Sequence, residues 1–124
     1  MLNKVACIVI YVNDLGEAKD FYSDVFHLKP IWEDQHRGEV GLLFPASDTE
    51  IVLRTGPDMS GSTEVYYQVD DVATALEKYV YQGCTVLSEP FETRLGRGAV
   101  LQDPFGTRLC IQDLSKAAAQ VEQI

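Results

Sequence analysis

Four short segments of the chain carry, on every second residue, side chains that can bind or orient a small molecule. They are Cys7, Val9 and Tyr11; Glu50, Val52 and Arg54; Glu64, Tyr66 and Gln68; and Arg108, Cys110 and Gln112. Successive side chains of a strand point to opposite faces, so each triplet shares one face of its strand. The opposite parity is apolar or aromatic throughout: Ile8, Ile10, Val12, Ile51, Leu53, Val65, Tyr67, Val69, Leu109 and Ile111. That face must be packed beneath helices, and the mixed face is left for function. Tyrosines, amides and opposite charges among a few apolar positions suit a ligand cleft, where apolar area supplies affinity and a few polar groups fix orientation. The competing structural reading is a sheet face covered by solvent or by a second subunit.

Other chemistries lack their residues. Arg94 and Arg97 flank a glycine-rich hairpin, but its Gly96-Arg97-Gly98 has no strand-to-helix context and is not a phosphate loop. No nucleophile elbow or Ser/His/Asp set is present, and His27 and His36 fall at a helix end and in a turn. Trp32, Phe44 and Phe91 are candidate cleft walls on strands whose parity the pattern leaves open.

The elements that position these residues come twice. Cys7–Leu15 recurs in pattern as Glu64–Val72, fifty-seven positions on, with Val12 over Val69, Asp14 over Asp71, Ala18 over Ala75 and Tyr22 over Tyr79. Such self-similarity marks a duplicated supersecondary unit. In the first copy, alternation predicts a strand over 4–12. Asp14 with Glu17 forms a capping box, and Leu15, Ala18, Phe21, Tyr22 and Val25 follow at helical spacing to a stop near His27. Extended pieces are expected at 29–35, 39–45 and 49–55. The second copy predicts a strand at 63–69, a helix capped by Asp70 or Asp71 and ended by Gly83, and strands at 84–93, 97–103 and 107–112. Residues 1–124 therefore read as one domain of two βαβββ repeats, 4–56 and 63–113. A linker runs from Gly56 to Ser62, and the tail 114–124 has the composition of a short helix.

Composition narrows the classes further. The chain has 124 residues, 46% of them hydrophobic, which is enough for one core, and a formal charge of −9. That charge argues against nucleic acid as a main partner, because phosphate binding needs a basic surface. No apolar run approaches the ~18 residues of a membrane span, and the N-terminus shows no leader pattern, so a cytoplasmic protein is expected. Three cysteines, an odd number, fit reduced thiols better than a disulfide framework.

The doubled βαβββ pattern carries Val12-Asn13-Asp14-Leu15 leading to Phe21-Tyr22. With Val69-Asp70-Asp71-Val72 and Asp103-Pro104-Phe105-Gly106, it resembles the vicinal oxygen chelate superfamily of glyoxalases, bleomycin resistance proteins and extradiol dioxygenases. The resemblance spans residues 4–113 and is nearest to the metal-free, bleomycin-resistance-like branch. It implies an α+β fold in which two tandem units form cupped mixed sheets around a cleft, helices outside, in a homodimer. It also implies a metal held from first and last strands, at positions that fall here on Cys7, Val52, Glu64 and Cys110. No histidine stands there and a valine cannot ligate, so the usual site is broken and no metal or other cofactor is expected. Two readings of Cys7, Glu64 and Cys110 stay open: a thiophilic two-thiolate, one-carboxylate site, or cysteines packed as small hydrophobes.

The leading expectation is a metal-independent protein that sequesters a small molecule using Tyr11, Trp32, Arg54, Glu64, Tyr66, Gln68, Arg108 and Gln112, with no catalytic residue. The alternative is a glyoxalase- or dioxygenase-like enzyme with an atypical metal site or with Glu64 as general base.

Overall fold

Asp14 opens the first helix as its type and spacing require. Its backbone is extended, at φ −127°, and its carboxylate accepts the Glu17 N–H at 2.9 Å. The computed structural model describes residues 1–56 and 59–117; Pro57 and Asp58 of the linker, and the part of the tail from residue 118 on, where composition predicts a short helix, lie outside the described residues. The elements run β1 (Lys4–Val12), α1 (Leu15–Asp24), β2 (Lys29–Asp34), β3 (Glu39–Leu43), β4 (Glu50–Thr55), β5 (Thr63–Gln68), α2 (Val72–Tyr81), β6 (Thr85–Glu92), β7 (Arg97–Gln102) and β8 (Arg108–Gln112). This is the α+β composition expected, with the order β-α-β-β-β occurring twice. The first helix ends at Asp24, and His27 then adopts a left-handed φ of 60° before Leu28 turns into the core. Of the two possible caps on α2, Asp71 is the one used: its carboxylate accepts both the N–H and the hydroxyl of Thr74.

The chain divides into two compact units, Cys7–Val65 and Met1–Ala6 together with the described residues from Tyr66 on. In the first, the strand order is β2-β3-β4-β1, antiparallel except where β4 meets β1 in parallel. Leu28, Val40, Leu42, Ile51 and Leu53 form its core, with Ile8, Ile10 and Val12 beneath Leu15, Ala18 and Tyr22 of the helix. The apolar parity of β1 and β4 is thus the helix-covered one. Phe44 joins this core, so it lies on the helix side and is not a wall of the opposite face.

In the second unit the order is β5-β8-β7-β6, with β5 and β8 parallel. Val69, Val72, Ala75, Leu76, Ala99, Leu101 and Ile111 make its core. At its edge sits Asp113, 1% exposed, whose carboxylate accepts the N–H groups of Val72 and Arg97, each at 2.9 Å, and both the N–H and hydroxyl of Ser115. A Cβ on Gly96 would stand 2.3 Å from the Asp113 carbonyl oxygen, so only glycine lets the β6–β7 turn come this close.

Candidate functional site

The helix-free face of the first unit is built in rungs across its strands. Glu39 of β3 lies opposite Arg54 of β4, which lies opposite Tyr11 of β1. A carboxylate, a guanidinium and a phenol are therefore brought side by side by pairing alone. Arg54 donates from Nε to Glu39 Oε2 at 2.7 Å, with Nη2 2.5 Å from the same oxygen. Its Nη1 donates to the Tyr11 hydroxyl at 3.3 Å, and its Cζ lies 5.8 Å from the Tyr11 ring centre. The hydroxyl in turn donates to Glu64 Oε1 at 2.6 Å. Four residues from four strands form one continuous polar row.

Two further rungs complete the face. Trp32 stands opposite Gly41, which pairs with Val52 and through it with Val9; Leu43 pairs with Glu50, which pairs with Cys7. The Trp32 indole N–H reaches across to Glu50 Oε1 at 3.2 Å. Val9, Val52 and Cys7 are buried and supply an apolar floor beside the polar row.

Electrostatics favour the protonated forms of Arg54 and Tyr11. Burial disfavours the Arg54 charge, but the adjoining Glu39 carboxylate and the Tyr11 hydroxyl outweigh it and hold the guanidinium charged. Burial, reinforced by the bond to Glu64, pushes the Tyr11 phenol up, against the opposing pull of Arg54. Tyr11 thus keeps its proton at neutral pH and presents it to Glu64. Tyr11→Phe, which deletes the bridging hydroxyl, is expected to cost about 1–2 kcal/mol of stability in urea denaturation and to abolish one high-pH step of the phenol absorbance titration.

Of the eight residues singled out by sequence, Tyr11, Trp32, Arg54 and Glu64 meet on this face. Tyr66, Gln68, Arg108 and Gln112 lie on the helix-free face of the second unit, where Tyr66 pairs with Cys110, and Gln68 with Gln112. Arg108 is exposed at the strand's start and the two glutamines are half-buried, whereas Tyr66 is 4% exposed and its ring is not an open stacking surface. Phe91, opposite Gly98, lies on the same face as Gln112. Sequence reading passed over Glu39 and Gly41, whose roles depend on which strand pairs with which.

The positions that carry a metal elsewhere in the resembled superfamily do not suit one here. Val52 has no donor atom, and Glu64 is already bonded to Tyr11. Among the described residues no group of three or more His, Cys, Asp or Glu side chains is arranged to hold a metal ion. Cys7 and Cys110 are buried free thiols, 6% and 3% exposed.

Solved structures share this architecture at low identity. Methylmalonyl-CoA epimerase from Mycobacterium tuberculosis superposes with a TM-score of 0.78 at 18% identity, over 96% of this chain and 93% of that one. A variant of the Streptomyces coelicolor methylmalonyl-CoA epimerase, in complex with 2-nitronate-propionyl-CoA, gives 0.72 at 18%, over 91% and 98%. A glyoxalase/bleomycin resistance protein/dioxygenase superfamily member from Vibrio splendidus gives 0.57 at 16%, over 91% and 99%. No curated protein matches the chain. Among the described residues no helix is long and apolar enough to cross a membrane. The family model of the Glyoxalase/Bleomycin resistance protein/Dioxygenase superfamily matches residues 4–111, and the chain belongs to that superfamily.

Proposed function

We propose that this protein is a metal-independent, homodimeric small-molecule-binding member of the superfamily, holding its ligand on the helix-free face with Tyr11, Trp32, Arg54 and Glu64. The observation that carries this reading is the continuous Glu39–Arg54–Tyr11–Glu64 row, in which the family's metal-facing acidic position is spent on a phenol. Fixed donors and acceptors beside an aromatic wall and an apolar floor orient a ligand without an ion. Tyr66, Gln68, Arg108 and Gln112 are the corresponding ligand-binding candidates on the second unit's own helix-free face.

The second reading, an acid–base enzyme with Glu64 as the base, is favoured by the short Tyr11–Glu64 bond, which gives that carboxylate a defined proton partner. Turnover separates the two. Protein purified and dialysed against EDTA is expected to carry well under one metal ion per chain and to give the same thermal shifts across a metabolite panel before and after chelation. 2-Nitronate-propionyl-CoA, the ligand of one neighbour, belongs in that panel. A stoichiometric ion whose removal abolishes binding would overturn the metal-free reading. Conversion of a bound compound that Glu64→Gln stops, while still binding it, would establish the enzyme. Light scattering tests the dimer.

A further inference from the structure

We propose that Gly41 determines what this face accepts, by letting the Trp32 indole lie over the sheet. Together with Glu50 it forms a docking wall for a flat conjugated ring that bears an N–H donor on its edge. The inference rests on the binding reading above and names the ligand class for the same face.

Three features of the chain converge on that one ring. The pairing of β2 with β3 shifts between Pro30 and Trp32, so Ile31 is an extra residue that turns Trp32 onto the helix-free face; bulges re-aim side chains in this way. Directly opposite, a Cβ built on Gly41 would stand 2.0 Å from Trp32 Nε1, 2.2 Å from Cε2 and 2.7 Å from Cδ1. The ring therefore fills the space of the missing side chain. Gly41 is not among the residues of positive φ, so its backbone suits any residue. A glycine inside a strand weakens it, and here only the ring explains its presence. Finally, Glu50 Oε1 accepts the indole N–H at 3.2 Å, while Oε2 meets no donor among the described residues.

The second unit repeats the device. Phe91 stands opposite Gly98, and a Cβ there would lie 2.7 Å and 2.9 Å from two atoms of its ring. Both units thus give up a strand side chain to seat an aromatic ring, but only Trp32 is also pinned to a carboxylate. An aromatic wall favours a conjugated ring by offset or edge contact, and a carboxylate oxygen at its border favours an N–H donor.

Trp32 is the only tryptophan of the chain, so its emission reports on this ring alone. Three probes separate the requirements: proflavine, which is flat and bears amino groups; acridine, the same ring system without them; and 1,3-diaminocyclohexane, with amines on a saturated ring. Proflavine is expected to quench Trp32 and to bind about tenfold tighter than either of the others. Gly41→Ala should shift the emission to the red and weaken proflavine, followed by its visible absorbance, by about tenfold. Placing Gly41→Ala on top of Trp32→Leu should cost nothing further, because the clash has gone. Trp32→Phe, which keeps a ring but loses the N–H that holds it to Glu50, guards against a misfolded alanine variant and should also weaken proflavine. Equal affinity for the three probes, or emission unmoved by Gly41→Ala together with proflavine binding unmoved by both Gly41→Ala and Trp32→Phe, overturns the proposal. If none of the three binds, the wall is wrong, and a Tyr11-dependent hit elsewhere in the metabolite panel would show that the binding reading survives it. No hit at all would sink both.

Discussion

Asp113→Ala is expected to remove about 3–4 kcal/mol of stability at neutral pH, a large share of the roughly 5–15 kcal/mol that a domain has. One carboxylate, 1% exposed, serves the first N–H of α2, the first N–H of β7 and the Ser115 that follows it. Its removal strands three backbone donors at once, and each buried donor left without an acceptor costs about 1–3 kcal/mol. The alanine also deletes a negative charge at a helix N-terminus, where the peptide dipoles favour one. Asp113→Asn keeps an acceptor oxygen and should lose about half as much.

Acid provides an independent check of the same carboxylate. Burial alone would raise its pKa, but the N–H groups of Val72, Arg97 and Ser115 and the Ser115 hydroxyl outweigh it and hold the folded-state value below the ordinary 3.8. The folded form therefore binds the proton less readily than the unfolded form. The contribution is full above the unfolded value and is lost as pH falls through the folded one. Urea midpoints of the protein and of Asp113→Asn should run parallel from about pH 5 to 8 and converge in stronger acid. A gap that stays constant down to the lowest pH at which both fold would exclude the ionised carboxylate as its source.

The second large effect falls on the polar row. Arg54→Met leaves Glu39, 5% exposed, without its cation and should cost about 3–5 kcal/mol. Replacing both partners, Glu39→Leu with Arg54→Met, should recover most of that loss, because the penalty comes from a buried unpaired charge more than from the missing attraction. Arg54→Lys keeps the charge but not the fork that meets Glu39 through two nitrogens, and should fall between. The three urea midpoints, read at low and at high salt, decide the matter; a shielded pair should respond little to salt. A double variant as unstable as Arg54→Met alone would show that packing, not charge, sets the cost.

The elements were legible because local signals and the pattern agreed. Asp14 and Asp71 cap the helices as their spacing implied, and alternation along β1, β4, β5 and β8 separated the helix-covered parity from the other without any knowledge of pairing. Tyr11, Arg54 and Glu64 were reachable by that route. Glu39 was not: its neighbours Val40, Gly41 and Leu42 give no clue that Arg54 stands opposite, since that follows from the register of β3 on β4. Trp32 sits beyond a bulge, which breaks the count of alternate residues. Phe44 lies beyond the last residue of β3, where parity no longer applies, and packs with the helix. Asp113 follows β8 and bonds to an N–H forty-one positions earlier, a separation no local pattern reports.

Each unit ends by laying its last strand in parallel beside its first: Cys7 meets Glu50, and Tyr66 meets Cys110. Those contacts join residues on either side of a helix and a hairpin, so closing the chain on itself costs entropy before the pairing repays it. The hairpins β2–β3 and β6–β7 can assemble early from near neighbours, while the seam waits for residues that emerge last. Substitutions in the seam should therefore act on the folding rate only as far as the transition state has already closed it, and otherwise on the rate of unfolding.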